Sequence, residues 1–265
     1  ILNNQNVDYI SDILDDSSFD INANILKSNN DLSFQGSIIS GKGFIIEKHL
    51  AKEILLSDKM YQDVICPYIG GADVLRIPNQ QAPLMVINFR NFSLEKAKTY
   101  IKCFEIIEQS VKPDRQRLKL DSKKQTIEGV YALRKPLPEK WWIYAEKRPK
   151  LYNTISNLNK VIVTPLVSKY LSFSLLESNQ VFTNKLCVIA FNSVDKMAVL
   201  QSIIHEVWAY KFSTTMGAST LNYNPSKVFD TFPFPLNVSK NIYKEYFASR
   251  SEIMIKINNG LTYIL

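Results

Sequence analysis

The sequence predicts an α+β fold, in which mixed, mainly antiparallel strands pack with several helices and the chain ends in a helical segment. Short apolar runs of strand length are interspersed with segments whose apolar residues recur every three or four positions. The two kinds of segment do not alternate strictly, so a parallel βαβ arrangement is not indicated. Hydrophobic residues make up 46% of the 265 residues and charged residues 22%, which is typical of a globular chain.

Strands are predicted from apolar runs bounded by turn residues. They lie at residues 33–39, 43–46, 73–77, 84–89, 141–144, 161–164, 170–175 and 186–191. The first two flank Ser40-Gly41-Lys42, which favours a hairpin. In the strand at 141–144, one of the neighbours Trp141 and Trp142 is expected to face the core and the other the outside.

Helical spacing predicts helices at residues 47–56, 93–111, 193–212 and 239–257, with a short one near 7–14. Ser93 and Ser193 stand where N-caps are expected. Residues 221–235 are predicted to be extended, because proline punctuates them.

The charge of the chain is unevenly distributed. The net charge is +7, but residues 1–31 carry −5 and the remainder carries +12. A body this basic favours a polyanionic partner, nucleic acid before membrane. No apolar run approaches the ~20 residues that a membrane helix needs. Cys66, Cys103 and Cys187 form no CxxC pair, which indicates reduced thiols in a cytoplasmic protein.

Two motifs resemble sites but lack an essential residue. Residues 36–43 match G-x-x-x-x-G-K of a phosphate loop, but Gly43 stands where Ser or Thr should hold magnesium. His205-Glu206 begins like a zinc-protease helix, but Ala209 occupies the position of the second histidine. We predict no metal site, and His205 is interpreted as a neutral helix histidine.

Two further patterns leave alternatives open. Asp114, Asp121 and Lys123 loosely fit a PD-(D/E)xK nuclease, in which two acids and a lysine surround magnesium. Asn224-Pro225-Ser226-Lys227 is partly similar to the N-P-P-aromatic loop of amino-methyltransferases. It lacks the second proline and the aromatic residue, and the chain has no glycine-rich loop for S-adenosylmethionine. No catalytic residue is therefore predicted in this chain, and no cofactor.

A binding surface is the better supported prediction. Basic residues concentrated in one stretch are candidates for phosphate contacts. They are Lys112, Arg115, Arg117, Lys119, Lys123 and Lys124, with Lys42 as a further candidate. Arginine reads guanine and asparagine reads adenine in the major groove. The candidates for such base contacts are Arg76, Arg90, Asn222 and Asn224.

Seven groups of residues, in one order along the chain, resemble the target recognition domain of MmeI-like (type IIG/IIL) restriction-modification enzymes and of related adenine methylases. The resemblance spans residues 32–235. The groups are Ser33-Phe34-Gln35-Gly36-Ser37 with Gly41-Lys42-Gly43-Phe44, Pro67-Tyr68-Ile69-Gly70-Gly71-Ala72-Asp73, Val86-Ile87-Asn88-Phe89, Lys112-Pro113-Asp114-Arg115, Trp141-Trp142-Ile143-Tyr144 with Lys147-Arg148-Pro149, Leu200-Gln201-Ser202 with His205 and Trp208, and Phe229-Asp230-Thr231-Phe232-Pro233-Phe234-Pro235.

The resemblance implies recognition of double-stranded DNA on behalf of a methyltransferase domain of the same polypeptide. That domain would bind S-adenosylmethionine and methylate the N6 of a flipped adenine. Residues 1–31 would then be an acidic connector from the catalytic domain, 32–236 the recognition domain, and 237–265 the start of a helical region. Asn259-Gly260-Leu261-Thr262 resembles the beginning of that region.

The resemblance also implies that residues 216–226 lie near base-reading positions. This loop has no arginine, unlike the loop of MmeI-type members, so Ser219, Thr220, Asn222 and Asn224 are the candidates. Lys211, at the end of the preceding helix, would suit a phosphate. A protein-interaction module that touches DNA little remains the alternative from another class, followed by a small magnesium-dependent nuclease.

Overall fold

The computed structural model describes residues 1, 4–7, 23–77, 79–217, 219–235 and 252. Its strands are β1 (Ser33–Gln35), β2 (Ile45–Ile46), β3 (Ile65–Ile69), β4 (Leu84–Ile87), β5 (Leu118–Leu120), β6 (Thr126–Tyr131), β7 (Lys160–Pro165), β8 (Val167–Ser168), β9 (Ser174–Glu177), β10 (Val181–Phe182), β11 (Leu186–Ile189), β12 (Thr214–Met216) and β13 (Thr220–Asn222). Its helices are α1 (Lys48–Ser57), α2 (Gly71–Arg76), α3 (Leu94–Thr99), α4 (Ile101–Ser110), α5 (Lys112–Arg115), α6 (Pro149–Ile155), α7 (Val194–Leu200), α8 (Ile203–Phe212) and α9 (Pro225–Val228). The predicted α+β class is confirmed.

The central sheet has the antiparallel order β1-β11-β7-β9 and is covered on both faces. Val161 and Val163 of β7 join one core with residues of α2 and α6. Ile162, between them, faces the opposite core with residues of α7, α8 and α9. Because successive side chains point to opposite faces, a strand buried on both sides reads as a continuous apolar run.

The second sheet has the order β10-β3-β4-β2, with a parallel β10–β3 pair and antiparallel pairs elsewhere. Residues of α1, α3 and α4 pack on it around the fully buried Phe44, Val86 and Phe89. β10 follows β9 of the central sheet within four residues, so the two sheets are joined closely.

Two small antiparallel units complete the described part. β12-β13-β8 forms a three-stranded sheet next to the carboxyl end of β7. β5 and β6 form a separate hairpin. No strand is predicted from the sequence over residues 118–131, and the overlapping basic stretch at 112–125 reads as solvated.

One predicted hairpin and two predicted strands are wrong, because long-range packing decides these segments. The expected hairpin over 33–46 does not form, since β1 pairs with β11 and β2 with β4. Residues 73–77 are mostly in α2, whose start is closed by the Asp73 carboxylate accepting the Gly70 N–H at 2.8 Å. Residues 141–144 form a buried turn, so Trp141 and Trp142 both lie in the core.

The predicted helices are partly confirmed. α1 lies where residues 47–56 were predicted, and the Ser93 hydroxyl accepts the Lys96 N–H. The predicted helix 93–111 is broken at Tyr100, whose backbone is not helical (ψ 63°). The predicted helix 193–212 divides into α7 and α8. Ser193 stands at the N-cap position of α7, as predicted, but its side chain makes no capping hydrogen bond, whereas the Ser202 hydroxyl accepts the His205 N–H at the start of α8.

Other predictions have mixed outcomes. The predicted helix 239–257 and nearly all of the one near 7–14 fall outside the described residues. Residues 221–235 include α9 and the end of β13, so this segment is less extended than predicted. All three cysteines are free thiols, as predicted. Among the described residues, no helix is both long and apolar enough to span a membrane.

Candidate nucleic-acid interface

The β5–β6 hairpin projects from the molecule with residues 119–132 all exposed. We call residues 117–132 the basic hairpin. At its tip, Asp121 Oδ1 accepts the backbone N–H groups of Lys123 and Gln125, both at 2.8 Å. Lys124 adopts the left-handed conformation (φ 61°) that completes the turn. The turn therefore presents two consecutive lysines to solvent.

The basic hairpin carries four of the predicted phosphate contacts, namely Arg117, Lys119, Lys123 and Lys124. In the part of the chain that the structure describes, none of them forms an ion pair with a carboxylate. Asp121 and Glu128 are the acidic residues of the hairpin, and Asp121 is engaged by the turn. The side-chain charges are thus available to a polyanion.

Arg115 was predicted to contact a phosphate, but the structure buries its side chain. It is 1% exposed and its guanidinium donates to the backbone carbonyls of Ile39 (2.7 Å), Ser40 (3.0 and 3.2 Å) and Ile143 (2.7 Å). The Phe44 ring centroid lies 5.3 Å from its Cζ. Burial lowers the pKa of Arg115 to about 10, which leaves the group protonated at neutral pH. Arg115 therefore joins three chain segments and is not a phosphate contact.

Lys112 and Lys42 flank this buried arginine at the surface. Lys112 Nζ is 2.7 Å from Glu108 and 5.1 Å from the Trp141 ring centroid, so a carboxylate already balances its charge. Lys42 is exposed on a short turn that packs on α4. A Cβ at neighbouring Gly43 would lie 2.2 Å from Ser110 Oγ, and close packing explains this glycine without a phosphate loop.

The strand β13 and the residues after it place the predicted base contacts on one side. Leu221 and Tyr223 are buried, whereas Thr220, Asn222 and Asn224 are half-buried between them. This alternation directs the second set away from the core. Ser219 is exposed in the preceding turn, where Gly217 has φ +64° and no neighbour near its Cβ position. We call residues 216–224 the reading loop.

Hydrogen bonds fix the asparagines of the reading loop. Asn222 Nδ2 donates to Thr214 Oγ1 at 3.3 Å, and Asn224 Oδ1 accepts from the Ser226 hydroxyl at 2.8 Å. Ser213 Oγ donates to the Asn222 carbonyl and accepts the Asn224 N–H. Each amide retains hydrogen-bonding capacity, because an asparagine side chain has two N–H donors and two acceptor lone pairs.

The buried side chain of His205 contacts the reading loop through Tyr223. Its Nε2 lies 3.2 Å from the Tyr223 hydroxyl, and the rings of Phe173 and Phe232 pack around it. The ring is fully buried, and burial lowers its pKa to about 3, so His205 is neutral at physiological pH. A packed, neutral histidine agrees with the interpretation of the sequence.

Helix α8 ends at the reading loop and exposes two kinds of side chain. Lys211, a predicted phosphate contact, is exposed in its last turn. Ile203, Ile204 and Val207 are 68%, 70% and 61% exposed on the same helix. Spacings of three, four and seven residues place Val207 and Lys211 on the side of Ile203 and Ile204. A cation thus borders an apolar helix face.

Arg76 and Arg90 do not join the reading loop. Arg76 ends α2, which packs on the face of the central sheet opposite to α8 and α9. Arg90 follows β4 of the second sheet, with a left-handed backbone (φ 50°) and its N–H bonded to Asn88 Oδ1. Both side chains are exposed, but they lie on other parts of the molecule.

The two acids of the nuclease alternative lie on separate elements of the described part of the chain. No group of three His, Cys, Asp or Glu side chains there is arranged to hold a metal ion. Asp114 lies on α5, and the Asp121 carboxylate closes the hairpin turn.

Comparison with known proteins identifies the family of this chain. The family profile described as "MmeI, target recognition domain" matches residues 103–236. The chain belongs to this family.

The MmeI target recognition domain match contains the basic hairpin, α8 and the reading loop, but not Lys42, Arg76 or Arg90. Among solved structures, the chain is similar to that of the type IIL restriction-modification enzyme MmeI in complex with DNA, with a TM-score of 0.63 and 12% sequence identity. The match covers 96% of this chain and 31% of that enzyme. No curated protein sequence matches the chain.

Sequence reasoning missed two residues beside the reading loop. Lys169 and Tyr170 follow β8, which pairs with β13. Both side chains are exposed. Neither residue belongs to a sequence motif that indicates a function. The pairing of β8 with β13 was the missing information, since it links residues about 50 positions apart.

Proposed function

We propose that this chain is the DNA sequence-recognition module of a restriction-modification enzyme. The observation that carries the proposal is the match to MmeI target recognition domains over residues 103–236. That segment contains both a surface suited to the DNA backbone and a loop of amides suited to base edges. Backbone contacts position such a protein on the duplex, and base contacts specify the sequence.

The basic hairpin is the proposed backbone-contacting element. Its four cations form no ion pair within the described residues and lie on an exposed hairpin, which suits contacts with phosphates of any sequence. The reading loop is the proposed base-contacting element. Asn222 and Asn224 offer the donor and acceptor pair that matches N6 and N7 of adenine, whereas Ser219 and Thr220 are less selective.

The finer proposal concerns the rest of the polypeptide. Residues 1–31 would connect to a domain that binds S-adenosylmethionine and methylates adenine N6, and residues 237–265 would begin a helical region. In this proposal the methyl transfer belongs wholly to that other domain, and this chain supplies no catalytic residue and no cofactor site. A cytoplasmic location and double-stranded DNA as the partner follow from the same proposal. Its support is the resemblance described above and the family match.

The test is fluorescence anisotropy with a mixed-sequence duplex between about 50 and 200 mM salt. If ~6 or more phosphates are contacted, binding weakens by orders of magnitude over this range. A flat salt dependence, or no binding by the full-length polypeptide at low salt, would contradict the proposal.

A first prediction concerns affinity. We expect Lys123→Ala/Lys124→Ala to weaken binding about tenfold to fiftyfold, equally for all sequences, and to reduce the salt slope by about 2. The double variant Lys52→Ala/Lys59→Ala removes the same charge from exposed positions in or near α1 and is the matched control. Equal losses in both double variants would indicate a net-charge effect without a hairpin contact.

A second prediction concerns specificity. We expect Asn222→Ala or Asn224→Ala to relax discrimination at one base pair by about 5- to 150-fold, since a bidentate contact is worth about 1–3 kcal/mol. Site selection, or sequencing of the sites methylated by the whole enzyme, measures the change. Asn157→Ala removes an exposed amide after α6, on the opposite side of the central sheet, and is the control. Unchanged specificity would remove both asparagines from the interface.

A protein-interaction module is the second candidate function, and the apolar face of α8 favours it. Three aliphatic side chains more than 60% exposed on one short helix are unusual for a free surface. The partner would be the remainder of the same polypeptide, since the chain covers 31% of the similar enzyme. Absence of DNA binding, together with association of this chain with its neighbouring domain, would favour this function.

A further inference from the structure

The turn after β8 presents a cation and an aromatic ring to solvent. Tyr170 is 69% exposed, and Lys169 Nζ lies 5.3 Å from the centroid of its ring. An exposed phenol ring leaves a large apolar area in water, which burial against a partner would remove. The positive charge beside the ring adds an attraction for an anionic partner.

The turn is held firmly in this position. The Ser168 hydroxyl donates to the Tyr170 carbonyl at 2.7 Å and accepts the Tyr170 N–H at 3.3 Å. The Tyr210 hydroxyl, from α8, donates to the Lys169 carbonyl at 3.3 Å. Hydrogen bonds from Ser168 of β8 and Tyr210 of α8 therefore hold the backbone of the turn, while the side chains of Lys169 and Tyr170 are exposed to solvent.

The strand register aligns this turn with the reading loop. Ser168 pairs with Leu221 and Val167 with Asn222 in antiparallel register. The pairing ends at Ser168, so Lys169 and Tyr170 leave β8 at the end of the pair where Ser219 and Thr220 precede the paired Leu221. Paired strands lie about 4.8 Å apart, so the turn starts next to the strand that carries Thr220 and Asn222.

We propose that Lys169 and Tyr170 are part of the DNA interface, which rests on the function proposed above. Lys169 contacts a phosphate of any sequence as a point charge. The Tyr170 ring packs against a nucleotide next to the one that the reading loop contacts. The two neighbours then have separable roles, because one contributes to affinity for all DNA and the other to affinity for the recognised site.

The experiment compares Lys169→Ala, Tyr170→Ala and Tyr170→Phe in the full-length polypeptide, using duplexes with the selected site and with a scrambled site. We expect Lys169→Ala to weaken binding of both duplexes about fivefold to tenfold and to reduce the salt slope by about 1. Tyr170→Ala should weaken binding of the selected site about tenfold and of the scrambled site much less. Tyr170→Phe keeps the ring and should retain most of the affinity.

Controls on another part of the molecule separate these effects from changes in charge or stability. Lys52→Ala and Leu56→Ala remove an exposed lysine and a 77% exposed apolar side chain from α1. All variants should unfold at the temperature of the unmodified protein, since the replaced side chains are exposed.

Three outcomes would overturn the inference, or its ring contact, in distinguishable ways. If Lys169 and Tyr170 variants bind like the unmodified protein while Lys123→Ala/Lys124→Ala still weakens binding, the turn is outside the interface and the proposed function stands. If the unmodified protein binds no DNA at low salt, the proposed function fails and this inference fails with it. A loss in Tyr170→Phe as large as in Tyr170→Ala would overturn the ring contact.

Discussion

Arg115→Ala is expected to lower the free energy of unfolding by about 3–5 kcal/mol, although the residue lies in the most basic stretch of the sequence. Its guanidinium donates to the carbonyls of Ile39, Ser40 and Ile143, and the substitution leaves these acceptors, among them the buried Ile143 carbonyl, without this donor. It also leaves a cavity beside Phe44. For a chain of this size, the unfolding temperature should fall by roughly 10 °C.

Arg117→Ala is the matched control, because it removes the same side chain two residues later from an exposed position. Its effect on stability should stay within about 0.5 kcal/mol. Arg115→Lys keeps the charge but not the planar set of donors, so we expect an intermediate loss of about 2 kcal/mol. Thermal unfolding of the three variants measures the difference. Unchanged stability of Arg115→Ala, combined with a salt slope reduced by about 1, would restore the phosphate contact and contradict the structural role.

Arg115 illustrates what sequence patterns cannot supply. In sequence it is one of six basic residues among 13, and a count of charges treats all six alike. The contacts of Arg115 with residues 39–40 and with the turn at 141–144 separate it from Arg117 and Lys119. Both segments are remote in sequence from α5, and residues 141–144 were predicted as a strand. The burial of the arginine follows from tertiary contacts that local periodicity does not contain.

Local patterns predict an element well where the spacing of its own apolar residues matches the faces that are buried in the fold. The apolar runs of β7 and β11 and the amphipathic spacing of α1 are such cases. The predicted helix 93–111 breaks because Tyr100 packs on Tyr61, Phe89 and Phe92, and its hydroxyl donates to Asp63. There, tertiary packing outweighs continuous helical spacing. The family resemblance pointed to the candidate amides of the reading loop, whereas the position of Lys169 and Tyr170 beside it follows only from the pairing of β8 with β13.

Acidification is expected to destabilise the molecule through His205. The folded state holds this ring neutral, with its pKa lowered by burial from 6.5 to about 3. In the unfolded chain the ring takes up a proton as the pH falls below about 6.5. Between these two values the unfolded state binds one more proton than the folded state, so stability falls with decreasing pH by up to ~1.4 kcal/mol per pH unit. Denaturant titrations at pH 6.5 and pH 5 should differ by about 1–2 kcal/mol from this group alone.

A double substitution isolates the histidine. His205→Leu alone removes the partner of the Tyr223 hydroxyl and costs stability at every pH, whereas His205→Leu/Tyr223→Phe removes both hydrogen-bonding groups together. The double variant should lose the acid dependence between pH 6.5 and 5, and Tyr223→Phe alone should keep it. His49→Leu, which removes the exposed histidine of α1, is the control for a change in histidine content. Burial raises the pKa of the Asp230 carboxyl, so this group acts in the opposite direction. The folded state takes up its proton at a higher pH than the unfolded chain does, which stabilises the fold as the pH falls. If the double variant kept the full acid dependence, another group would be responsible. Because Tyr223 lies between Asn222 and Asn224, a confirmed His205 dependence would also predict that acid loosens the reading loop before the basic hairpin.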